Sequence, residues 1–425
     1  MRPLRQRPRA ALALGFLVAL SACANDGSGA DSSNGAVASG NAVDTERPVF
    51  SNPTQVTNPL FPASETEQLV QLGKEGDVRV RIEVTLLPST RTIEWDGAQV
   101  EVVEALYAAY ADRRLLEVTL DFFAQADDGS VWYFGEEVDN YEGGVVSDHG
   151  GAWLAGRDGP PGMIMPADPQ VGDVFRPENI PGLVFEEDIV LSTGETVDGP
   201  RGPIEGAIRV EENLMEGTSE QKIWAPGYGE FHIEAGSEVV TVAVAVPIDA
   251  SSDPAPEALG TLRDQARALF DSARGEDSDG MAEARAAIET AWSELEGSDL
   301  PPLLADQLAT AIEATATDDV AATQQGAVDL FGAALDVELL YEEVATVDRG
   351  RLEWWARQLI VDVAAADEAA AASDVATLQA IRRRLPSDLG AASEMLDTLA
   401  STVEAGDMDA LAGTAEELIA ALQGS

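Results

Sequence analysis

Apolar and polar residues alternate strictly over three stretches in the first half of the chain. Val78, Val80, Ile82, Val84 and Leu86 are interleaved with Arg79, Arg81, Glu83 and Thr85. Leu116, Val118, Leu120 and Phe122 alternate with Glu117, Thr119 and Asp121, and Val240, Val242, Val244 and Val246 repeat the pattern. A period of two puts successive side chains on opposite faces of a strand, so the pattern predicts antiparallel sheet with one buried and one wet face. Turn chemistry agrees. Asp96-Gly97 and Asp128-Gly129 each separate two such runs, and both central residues of a type I′ hairpin turn need positive φ. Asp158-Gly159 and Asp198-Gly199 stand beside Pro and predict longer loops.

After Glu257 the period lengthens. Leu352, Trp355, Ala356, Leu359, Ile360 and Val363 form a helical stripe, and Val328, Phe331, Leu335 and Leu339 form another one helix earlier. Asp279, Asp319, Asp374 and Asp407 recur at irregular intervals, each placed at or near a helix N-cap, which predicts stacked helical hairpins or a bundle. The fold class is therefore α+β in two domains. An antiparallel β domain over 48–250, a curved sheet or half-barrel, precedes an Ala-rich all-α domain over 251–425. A Pro-rich link from Asp249 to Pro256 separates them.

The first residues follow neither pattern. Met1 to Arg9 is basic, Ala10 to Leu20 is apolar, and small residues follow, as in a secretory leader over 1–22. The apolar run is shorter than the roughly 20 residues a spanning helix needs. Leu20-Ser21-Ala22-Cys23 resembles the lipobox of bacterial lipoproteins, and that resemblance implies a diacylglyceryl thioether on Cys23 that holds the protein at the extracytoplasmic face of the cell membrane. From Cys23 to Arg47 the chain is rich in Gly, Ser, Asn and Asp, which predicts a flexible tether.

Composition narrows the chemistry. Cys23 is the sole cysteine, so the chain has no internal disulfide and no thiolate metal site. The formal charge is -50, or about -54 once the four leader arginines are removed, a field that repels nucleic acid. Only two lysines, Lys74 and Lys222, and two histidines, His149 and His232, occur. No GxSxG elbow, P-loop, GxGxxG after a strand or HExxH is present, and no catalytic residue is assigned.

Five candidates remain. Ser147-Asp148-His149 is expected to be a turn, since neighbours on an extended chain point apart and do not form a relay easily. Glu136, Glu137 and Asp139, with His149, offer oxygen and imidazole ligands for a cation. Trp132, Phe134, Trp153 and Trp224 belong to an aromatic concentration in the β domain; they pack a core or line a pocket for a small apolar ligand on the concave side of the sheet. Trp354 stands about 100° round its helix from Trp355, between Arg351 and Arg357, where it either anchors a partner such as an envelope protein or packs against the β domain. Arg382-Arg383-Arg384, before Pro386, suits a helix C-terminus.

Asn58-Pro-Leu-Phe-Pro62, the hairpin Phe123 to Glu136, Met165-Pro166 with Val171-Gly172-Asp173, and Ala225-Pro-Gly-Tyr-Gly229 are similar to a family of exported, lipobox-bearing β domains of high-GC bacteria, some with appended helices. The resemblance spans about Pro48 to Ile233 and implies location and fold, with no activity, cofactor or functional residue attached. The expectation is a membrane-tethered, non-enzymatic protein that binds a ligand or partner and carries no cofactor beyond the lipid. Cation binding and a carboxylate-based hydrolase of envelope polymers are the alternatives.

Overall fold

The structure is a computed structural model that describes residues 41–215, 217–235, 238–245, 253–386 and 389–424. The leader, Cys23 and the tether to residue 40 lie outside the described residues, as do Val246 and the start of the Pro-rich link.

The alternating stretches form strands. Two antiparallel meanders make up most of the sheet. The first runs through β2 (Gln68–Glu75), β3 (Val78–Trp95), β4 (Ala98–Ala111), β5 (Arg114–Gln125), β6 (Val131–Glu142) and β7 (Val145–Asp148). The second runs through β10 (Asp173–Ile180), β11 (Val184–Gly199), β12 (Gly202–Leu214), β13 (Ser219–Ala225), β14 (Gly229–Ala235) and β15 (Glu238–Ala245). β15 pairs antiparallel with β2 and joins the two meanders edge to edge. The far edges also meet. Two short strands, β8 (Trp153–Leu154) and β9 (Gly162–Met165), pair with β6, and β9 lies against β10. A Cβ on Gly162 would stand 1.9 Å from the Pro177 carbonyl, so only glycine admits this approach. The sheet thus curls through nearly a full turn, with a short helix, α1 (Ala63–Thr66), at one end.

Asp96 and Gly97 both take positive φ, as the hairpin reading requires. Asp112 and Arg113 make a similar turn between β4 and β5 with no glycine to announce it. Asp198-Gly199 begins no long loop: Gly199 pairs with Gly202, and Pro200-Arg201 close a tight hairpin of two long strands. The tether also ends earlier than composition suggests. β1 (Asn41–Ala42) pairs in parallel with β10, and Asp44 and Arg47 hold Arg176 and Asp96.

Eight helices follow: α2 (Glu257–Arg274), α3 (Ser278–Leu295), α4 (Pro302–Ala314), α5 (Val320–Glu338), α6 (Val344–Ala364), α7 (Glu368–Arg384), α8 (Ala391–Ala405) and α9 (Met408–Gln423). Asp319 and Asp407 cap α5 and α9 as expected, but α3 and α7 are capped by Asp277 and Asp367. Asp374 is no cap. It is buried in the middle of α7, its carboxyl pushed well up by burial and by neighbouring Asp362.

The two halves share one hydrophobic core, because α5, α6 and α7 pack on the outer face of the first meander. The alternation of β3 predicts that Arg81, Glu83 and Thr85 are wet, yet Glu83 and Thr85 are buried and Arg81 is nearly so. Arg81 donates two hydrogen bonds to the Asp336 carboxylate, at 2.7 and 2.8 Å, and one to Glu83 at 2.7 Å. Arg384 donates to Glu83, and Arg351 donates to Asp336, Asp348 and Gln68. Burial opposes charge on Glu83, but Arg81, Arg384 and Arg351 outweigh it and hold its carboxyl well below the usual range. Three arginines meet three carboxylates, so the wet face becomes a charge-neutral interface.

Candidate functional site

The inner face of the curled sheet lines a pocket of about 200 Å³ that opens to solvent. One water needs only about 10–15 Å³ measured this way, so the space fits a molecule of many atoms. Its apolar part begins at Asn58-Pro-Leu-Phe-Pro62, where the Asn58 side chain accepts from Leu60 N–H and donates to the Gly129 and Pro166 carbonyls. This pinned loop holds Phe61 between Phe123 and Trp224, with ring centroids 4.8 and 5.8 Å away. Leu69, Val84 and Tyr228 extend the apolar wall, and Glu67, exposed at the end of α1, stands at the mouth.

The remaining wall is acidic, and strand register explains why. On the first meander Asp121 pairs with Glu136, and Glu117 lies four residues back along β5 on the same face. On the second, Glu178 pairs with Glu186, Asp188 with Glu212, and Glu212 with Glu220. Like charges directly opposite are destabilising, so these ladders work against the sheet unless something neutralises them. Among the described residues Lys222 is the one base on the cavity wall, with Nζ 2.8, 3.3 and 3.6 Å from Glu212, Glu230 and Glu220.

The acids respond by holding protons. Burial, and then repulsion from Asp121, raise the Glu117 carboxyl to about 7, although Thr119 donates to it at 2.7 Å. Burial also lifts Asp121, which accepts from the Tyr133 hydroxyl at 2.6 Å, and Glu178, which accepts from Trp153 Nε1 at 2.7 Å. Glu136 is pushed up by burial, then by Glu178 and Asp121. Asp188 has no donor at all: it is 1 % exposed, neither carboxylate oxygen has a hydrogen-bond partner, and burial and Glu212 raise it well above normal. The indole N–H of Trp224, which lines the same space, is also unpartnered.

The sequence candidates scatter. Of the four aromatic residues considered for a pocket, Trp224 alone lines the cavity. Trp153 is fully buried edge-on to Tyr133, Phe134 is buried between Phe50 and Trp95, and Trp132 faces a separate hollow beside Trp95. Successive residues of β6 face opposite ways, so Glu136 enters the cavity while Glu137 is exposed and paired with Arg91. His149 lies outside, its Nδ1 2.8 Å from the Val138 carbonyl and 3.1 Å from Asp139. The expected cation set does not converge, and among the described residues no group of three or more His, Cys, Asp or Glu is placed to hold a metal ion. Ser147-Asp148-His149 is not the expected turn: Ser147 and Asp148 end strand β7, His149 follows it, and Asp148 accepts from Gly150 N–H and Asn140. Trp354 is no surface anchor. It is 7 % exposed, with Arg81 over its ring and Gly332 beneath it, where a Cβ would stand 2.4 Å from the indole. Of the three consecutive arginines, Arg384 is buried against Glu83, while Arg382 pairs with Asp397.

No helix among the described residues is long and apolar enough to cross a membrane. Comparisons with family models, with curated proteins and with solved structures found no match for this chain.

Proposed function

We propose that this protein is a binding protein tethered by a lipid on Cys23 to the extracytoplasmic face of a membrane, and that it takes a small, partly apolar molecule into the cavity of its curled sheet. The observation that carries this is the junction of Phe61, Phe123 and Trp224 beside a space large enough for a ligand. A mostly apolar pocket with a few directed polar groups is the usual form of a small-molecule site.

A hydrolase of envelope polymers needs an acid pair facing its substrate, and Asp121 and Glu136 do lie opposite one another. The space they line, however, is a pocket of about 200 Å³, which suits a small molecule better than several units of a polymer. Binding is the better-supported activity.

Native mass spectrometry of protein purified from its host tests the reading. An adduct is expected on the intact protein, released by organic solvent and lost when the inner-face residue Ala105 is replaced by Phe. An unliganded mass from gently purified protein, together with failure to take up any of the three C8 probes named below, would overturn it. The tether is tested separately: the mature chain is expected to start at Cys23 with a diacylglyceryl mass, and Cys23→Ser is expected to release the protein from membranes.

A further inference from the structure

The balance of charge differs sharply between the two faces of this sheet. On the outer face Arg81, Arg351 and Arg384 meet Glu83, Asp336 and Asp348, three against three, although that surface is dry. On the inner face the Asp188–Glu212–Glu220 ladder and the Asp121–Glu136 pair face a cavity with Lys222 as its one base. The overall acidity of the chain does not by itself explain this, because on the outer face Arg81 of β3, Arg351 of α6 and Arg384 of α7 match the three carboxylates that the helices cover. Lys222 itself is taken up by Glu212 and Glu230, leaving both oxygens of Asp188 without a donor. A buried carboxylate with no partner is among the costliest groups a fold can hold, and it persists where something else supplies the donor.

Resting on the binding function proposed above, we infer that the ligand is an organic cation, an ammonium group joined to an apolar body. The ammonium docks against Asp188 and Glu212, and the body lies on Phe61, Phe123 and Trp224. An ammonium offers several donors to oxygens that now have none, and the aromatic faces beside it also attract cations. A bare metal ion fits less well, since the acids are spread along the strands and no three converge. Burial raises the Asp188 and Glu186 carboxyls, so protons hold the place of the cation when the cavity is empty.

The test compares three ligands of one shape on the full-length protein at pH 8.5: octylammonium, octan-1-ol and octanoate, by calorimetric titration. Octylammonium is expected to bind at least about tenfold tighter than octanol, with octanoate weakest. Asp188→Asn is expected to remove about tenfold from the octylammonium affinity and to leave octanol unchanged. If octanol binds as tightly as octylammonium, the cationic ligand is wrong while the cavity still binds. If none of the three binds, the binding function falls with it. A preference for octylammonium that Asp188→Asn leaves intact places the cation on the acidic outer surface and overturns the assignment. The wild-type ranking needs no variant, so a misfolded Asp188→Asn does not remove the test.

Discussion

Lys222 and Asp188 are close in the barrel and opposite in consequence. Lys222 is 3 % exposed and is the one cation beside Glu212 and Glu230. Replacing it by Met leaves these carboxylates buried together, and removing one partner of a buried ion pair costs about 3–5 kcal/mol. Urea unfolding of Lys222→Met at pH 8 is expected to show that loss. Asp188→Asn removes a buried ionisable group whose charged form no donor meets, and at pH 8 it is expected to stabilise the ligand-free protein by on the order of 1 kcal/mol. Loss of stability in Asp188→Asn would mean that the side chain has a partner within the fold.

At the level of strands and helices, patterns that depend on near neighbours were legible in the sequence, and patterns that depend on what covers a face were not. Asp96-Gly97 gave its hairpin because the turn conformation is a property of two residues. The alternation of β3 and β5 gave strands and phase, but polar residues marked as wet are dry in both, under helices in one case and around a cavity in the other. A trace of the difference was present. The polar positions of β3 mix Arg79 and Arg81 with Glu83, which can neutralise partners across a seam, whereas those of β5 are Glu117, Thr119 and Asp121, with no base. Trp354 was ambiguous for a related reason. Its α6 is buried nearly all round, so angular distance from the apolar stripe did not measure exposure. Trp354→Ala is accordingly expected to lower stability by about 3–5 kcal/mol, the range for deleting a large core aromatic. Gly332→Val, which displaces the ring without removing it, is expected to be destabilising as well. Thermal melts check both, and a neutral Trp354→Ala would return the residue to the surface.

Across the whole molecule, the shared core and the neutral seam of Arg81, Glu83, Asp336, Asp348, Arg351 and Arg384 bind sheet and helices into one unit. One calorimetric transition is expected despite the change from β to α near residue 250, and two resolved transitions would show independent domains. The response to pH follows from the two faces of the sheet, which act in opposite directions. On the inner face the folded state holds protons more tightly than the unfolded chain: the Glu117 carboxyl rises from 4.5 to about 7. Between those values the native protein binds the extra proton, so stability falls as pH rises, and this one group contributes on the order of 3 kcal/mol of loss by pH 8. On the outer face Glu83 is depressed, so its stabilisation is present above about 4.5 and is lost only in stronger acid. Together they place the maximum of Tm near pH 5, with a decline toward pH 8. Repulsion within a chain of formal charge -50 slopes the same way, but it acts through solvent and fades in 1 M salt, where the Debye length is about 3 Å. The buried contribution does not fade. The decline is therefore expected to survive in 1 M salt and to flatten in Glu117→Gln, and a Tm that climbs steadily from pH 5 to 8 would mean that the cavity acids are ionised and already paired.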